Sequence, residues 1–136
     1  MIGVLIVTHQ EFGEHLLQAA EGILGEQERC QAVSINASKD MEASLQEIQD
    51  GVEQVDAGTG VVLLTDMFGG TPTNLSLSLL GSGKLEVITG ANLPMLLKIL
   101  SRREMALEEL ALEAKSAGRQ GILVAGEVLK RKIANG

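Results

Sequence analysis

Five short blocks rich in Ile, Val and Leu recur along the chain, at Ile2–Val7, Cys30–Ile35, Val61–Leu64, Leu85–Ile88 and Ile122–Val124. Each is too short for a helix, so each predicts a strand. The segments between them carry a helical period. Met41, Leu45, Ile48, Val52 and Val55 fall on one face behind Asp40 as N-cap, and Phe12, Leu16, Ala19, Ala20 and Ile23 do the same ahead of a stop at Gly25. Thr71-Pro72 reads as N-cap and first helical residue of a helix running to about Leu80. Asn92-Leu93-Pro94 opens another over Met95 to about Leu100, and Leu107, Leu110, Ala111 and Ala114 give a further face stopped by Gly118. Strands alternating with helices, two or more of them apolar on both faces, predict an α/β fold: an open, mostly parallel β-sheet with helices on both faces. Gly121–Val124 is expected to pair at a sheet edge or on a neighbouring subunit, with Lys130, Arg131 and Lys132 as a solvated tail.

At 136 residues and 45% hydrophobic the chain is expected to form a single domain over 1–136. Only two residues are aromatic, both Phe, so the core must be aliphatic, with the five Met filling gaps. Stacking platforms for bases are thereby nearly excluded. A net charge of −7, from 18 acidic against 11 basic residues, argues against nucleic acid or an anionic membrane as partner. The single Cys30 allows no internal disulfide and no Cys-based zinc cage, and reads as a buried free thiol. With no basic leader, no cleavage site and no apolar run of about 18 residues, a cytoplasmic protein without membrane insertion is expected.

In an open parallel sheet, ligands bind off the carboxyl ends of the strands. Three such ends stand out: Thr8-His9-Gln10, Thr65-Asp66-Met67-Phe68-Gly69-Gly70-Thr71-Pro72, and Thr89-Gly90-Ala91-Asn92-Leu93-Pro94. A histidine ending an apolar strand offers a nucleophilic ring nitrogen at the rim, although such a residue can equally bond a loop carbonyl. Asp66, at a nearby strand end, can accept from one ring nitrogen, fix the tautomer and leave the other free to attack. Gly69-Gly70 before a helix start offers backbone N–H groups to a phosphoryl group, and Thr71 adds a hydroxyl. The loop matches neither nucleotide-binding glycine pattern and contains no Lys or Arg, which speaks against a nucleotide cofactor. His15, between acidic neighbours on a helix, reads as a solvated residue, and no metal site is expected.

Taken together, Gly3-Val4-Leu5-Ile6-Val7-Thr8-His9, Asp66-Met67-Phe68-Gly69-Gly70-Thr71-Pro72-Thr73-Asn74 and Gly90-Ala91-Asn92-Leu93-Pro94-Met95 resemble the enzyme IIA domain of the mannose-family sugar phosphotransferase system, over nearly the whole chain. The resemblance implies a cytoplasmic phosphocarrier without a cofactor. His9 would take a phosphoryl group on Nε2 from the phosphohistidine of HPr and pass it to a IIB component. Asp66 would orient the ring, the Thr71 hydroxyl would lie by the phosphoryl group, and a C-terminal strand would be exchanged in a homodimer. Without a IIB segment in view, the acceptor is expected to be a separate protein. A regulatory phosphoprotein that signals by its phosphorylation state is the alternative.

Overall fold

The computed structural model describes residues 1–135. In chain order the elements are β1 (Gly3–His9), α1 (Phe12–Leu24), β2 (Cys30–Ile35), α2 (Met41–Val55), β3 (Val61–Thr65), α3 (Gly70–Leu77), β4 (Leu85–Thr89), α4 (Leu93–Ser101), α5 (Leu107–Gln120) and α6 (Ala125–Asn135). The four strands pair in parallel in the order β2-β1-β3-β4.

Strand periodicity divides the core. From β1, Val4 and Ile6 pack on one face with Ala20 of α1, Leu96 and Ile99 of α4 and Leu110 of α5, whereas Leu5 and Val7 pack on the other with Ile48 and Val55 of α2 and Leu75 of α3. Both faces of β1 and β3 are therefore covered, as their unbroken apolar runs require. The core is aliphatic, for both Phe12 and Phe68 are exposed. Met95 is buried within it and Met105 packs against it, but Met1, Met41 and Met67 are exposed, so two of the five methionines fill core gaps.

Two helix starts follow the expected chemistry. Asp40 Oδ1 accepts from the Ala43 N–H at 2.7 Å, and Asn92 Oδ1 from the Met95 N–H at 3.0 Å. Others differ. Helix α1 turns Gly13, Leu16, Leu17 and Ala20 inward, not Phe12 and Ile23, which are 49% and 61% exposed. Small residues win this face because a Cβ on Gly13 would stand 3.0 Å from Ile6, so the helix lies too close to the sheet for a ring. Gly118 does not stop α5 but sits inside it, where its carbonyl accepts from Asn92 Nδ2 at 2.9 Å and an added Cβ would meet Met95 at 2.9 Å. Its smallness serves close packing of α4 on α5. The expected fifth strand is absent from this chain's sheet: Ile122, Leu123 and Val124 are 73%, 68% and 65% exposed and unpaired in any ladder. The basic residues after them are solvated, as expected, and lie on the exposed helix α6.

At the amino ends of the strands the buried Arg103 donates to the carbonyls of Ile2, Glu28 and Arg29, fastening the β1 and β2 starts to the α4–α5 connection. Cys30 packs beside it against the core, and burial pushes its thiol up to about 12, against the opposing pull of Arg103. Such a thiol is unreactive at neutral pH. Arg103→Met should destabilise the fold by about 2–4 kcal/mol, because it leaves buried carbonyls without donors, and chemical denaturation checks this.

Candidate functional site

The carboxyl ends of the four strands open on one edge. Strand order reverses at β1, since the chain passes from β1 outward to β2 and then returns to β3 on the other side. That switch point is where loops diverge and leave a crevice. His9 is the last residue of β1, and Asp66 follows the last residue of β3. The β1–β3 register, with Val7 opposite Thr65, brings the two side by side.

Asp66 Oδ2 accepts twice from His9, from the backbone N–H at 2.9 Å and from ring Nδ1 at 2.8 Å. An ionised carboxylate can only accept, so this contact places the ring proton on Nδ1 and leaves the Nε2 lone pair free. Burial pushes the Asp66 carboxyl up, but the hydrogen bonds from His9 and the pull of its ring together outweigh it and hold the group below its ordinary 3.8. The other oxygen, Oδ1, is buried without a hydrogen-bond partner among the described residues, so compensation of this partly buried charge rests mainly on His9, with a smaller contribution from the Asp66 backbone N–H. The His9 side chain itself remains 47% exposed.

The glycine loop lies against the free ring edge. Gly69 and Gly70 both take left-handed backbone, at φ 93° and 79°. A Cβ on Gly70 would stand 3.1 Å from His9 Cε1 and 3.2 Å from Nε2. Position 70 thus requires glycine on two grounds, backbone sign and closeness to the His9 ring. Helix α3 begins at Gly70 with Gly69 as its N-cap, so Thr71 is not the cap expected from sequence. Pro72 falls within the first turn, where a missing N–H costs no helical bond. Thr73, part of the motif but given no role from sequence, anchors the loop: its buried hydroxyl meets Thr65 Oγ1 at 2.7 Å and donates to the Met67 carbonyl. Its only sequence signal was a hydroxyl placed one residue after the proline.

A cleft of about 320 Å3 runs from His9 and Thr71 along the β2–α2 loop, lined also by Gln10, Asn36, Lys39 and Ser44. Gln10 adopts left-handed backbone at φ 52°, a conformation uncommon outside glycine, directly after the histidine. The Thr89–Pro94 loop does not line this cleft, and its Asn92 serves as cap and interhelix clamp. His15 stands apart on α1, exposed, its ring within 3.2 Å of Gln18 Oε1. The β2 end, left out of the three loops singled out from sequence, contributes instead. The parallel-sheet rule could have found it, since Ile35 also ends a strand on this edge.

The family profile described as "PTS system fructose IIA component" matches residues 3–115. The chain is 33% identical over 124 residues to the PTS system mannose-specific EIIAB component of Escherichia coli strain K12, a match covering 89% of this chain and 38% of that protein. It is 31% identical over 138 residues to the PTS system fructose-specific EIIA component of Bacillus subtilis strain 168, covering 99% and 94% respectively. The chain therefore spans well under half of the first relative and nearly all of the second. Phosphotransferase system component EIIA from Streptococcus agalactiae superposes with a TM-score of 0.85 at 28% identity, over 93% of this chain and 99% of that one. The mannose/sorbose specific IIA subunit from Enterococcus faecalis shares the fold, with a TM-score of 0.82 at 23% identity over 90% and 93%.

A carbon-detected NMR titration should find the Asp66 carboxyl titrating below 3.8, and the His9→Ala variant should return it upward. Because the folded value is the lower one, the stability this group contributes is complete above its unfolded pKa and lost as pH falls through the folded value.

Proposed function

The chain belongs to the PTS IIA component family matched by that profile, and on this premise we propose that it is a phosphocarrier in which His9 Nε2 takes a phosphoryl group from phospho-HPr and hands it to a IIB component. The observation that carries the reading is the Asp66–His9 contact at 2.8 Å, which leaves Nε2 as the free nitrogen against the glycine loop.

In the reaction the Nε2 lone pair attacks phosphorus as the donor's N–P bond breaks and returns its electron pair to the donor ring. No proton needs to move. The His9 ring, now substituted at Nε2 and still protonated on Nδ1, gains positive charge, which the Asp66 carboxylate offsets. The phosphoryl group brings about −1.5 to −2 charge into a chain already at −7. Gly69 and Gly70 backbone, the Thr71 hydroxyl and the N-terminal turn of α3 are the neutral donors that would meet it, a loose cradle suited to a group that must leave again. Exposed Met67 and Phe68 directly after Asp66, with Met41 on the cleft, suit a protein partner more than a small charged one.

We read residues 1–136 as one IIA unit acting as a cytoplasmic homodimer. The exposed Ile122–Val124 run and the open β4 edge support exchange of that segment between subunits. No described helix is long and apolar enough to cross a membrane.

Incubation with phosphoenolpyruvate, enzyme I and HPr should add one acid-labile phosphoryl mass to the wild type and to His15→Ala, and none to His9→Ala. Loss in His15→Ala alone would sink the assignment. Onward transfer to a IIB component separates a carrier from a purely regulatory phosphoprotein. Asp66→Asn, its circular dichroism unchanged, should slow transfer at least about tenfold, since an amide can donate where the carboxylate only accepts. Thr71→Val should slow formation or shorten the lifetime of the phosphorylated form, and Gly70→Val should be worse. For the dimer, Leu123→Asp should lower the mass seen by light scattering, and an unchanged mass would remove this segment from the interface.

A further inference from the structure

The charge problem at the site has one candidate solution that the glycine loop does not provide. Lys39, on the loop between β2 and α2, is the one Lys or Arg among the described residues lining the cleft that His9 and Thr71 share. Its ammonium rests on Glu47 Oε1 at 2.7 Å, one and a half turns into α2. Both side chains of that pair are substantially exposed, at 36% and 43%, so the pair is weak and readily exchanged. Two acids stand next to lining residues: Asp66 behind the His9 ring, and Asp40 beside Lys39, its Oδ1 committed to capping α2.

We propose that Lys39 is the counter-charge to the phosphoryl group on His9, leaving Glu47 when the group arrives and returning to it when the group departs. This rests on the phosphocarrier reading. A flexible four-carbon stem with a compact ammonium suits the task, because it can meet a phosphoryl oxygen as a point charge and then let go. In the unphosphorylated protein Glu47 keeps the ammonium occupied and so away from the Nε2 lone pair of a ring that must stay nucleophilic. On phosphorylation two negative groups, the phosphoryl and Glu47, compete for one cation, and the doubly charged one wins. The exchange makes and breaks ion pairs only, with no covalent change.

The measurement is the equilibrium constant for phosphoryl exchange between HPr and this chain, read as the phosphorylated fraction at a fixed phospho-HPr to HPr ratio. An equilibrium between free species is indifferent to how the two proteins dock, so it reports the charge environment of the phosphoryl group itself. Lys39→Met should lower the constant about three- to tenfold at about 20 mM salt, and the difference should fade toward about 0.5 M salt as screening shortens. Lys39→Arg should retain most of the wild-type value, and Glu47→Gln should match or exceed it. A Lys39→Met protein phosphorylated on His9 to the wild-type extent at low salt would overturn the role of Lys39 and leave the phosphocarrier reading standing. A deficit unaffected by salt would likewise overturn it, as a structural effect of the loop. Wild-type protein that took no phosphoryl group would overturn both.

Discussion

The parallel pairing of β1 with β3 is the contact on which the rest depends. The first crossover carries the chain from β1 to β2 over one face of the sheet, and the second returns it past β1 to β3 over the other. Right-handed crossovers in opposite directions must lie on opposite faces, so α1 and α2 cannot share one. The third crossover continues in the direction of the second, and α3 accordingly joins α2, while α4 and α5 complete the layer begun by α1. A crevice at the carboxyl edge between β1 and β3 is therefore a consequence of topology. His9 and Asp66 occupy its two sides because each lies at the end of its strand.

Within that crevice the electrostatics are arranged around one acceptor. Asp66 Oδ2 takes both the His9 backbone N–H and the ring proton, which fixes the ring's tautomer and its orientation in one contact. Gly70 then stands where any side chain would press on Nε2, so the unprotonated ring nitrogen faces backbone. The remaining difficulty is charge, since a strongly acidic chain must carry a further anion in the proposed reaction. A neutral cradle together with a single exchangeable cation can hold such a group without trapping it.

Much of this was legible in the residues because it is local. Strand ends, the Asp40 and Asn92 caps, the need for glycine at 69 and 70 and the strand-end positions of His9 and Asp66 all follow from short-range pattern. The errors arose where a distant element decided the outcome. Phe12 and Ile23 share a helical face with true core residues, yet the closeness of α1 to β1 excludes them in favour of Gly13 and Ala20. Gly118 looks like a helix stop until α4 is seen packed against it. Thr71 looks like a cap, but the left-handed Gly69 caps the helix two residues earlier. Ile122–Val124 has a strand's composition and, within one chain, no ladder to join.

The sequence by itself determined the class of fold, the aliphatic character of the core and the strand-end positions of His9 and Asp66 beside a glycine pair, because apolar periodicity and backbone sign are properties of neighbouring residues. Only the tertiary structure decided that Asp66 bonds Nδ1 and not Nε2, that Gly70 abuts the free nitrogen, and that Lys39 shares the cleft. Those relations join residues 57, 61 and 30 positions apart from His9. No local pattern encodes such distances. They are set by strand order and register, which depend on how two whole hydrophobic faces are buried at once.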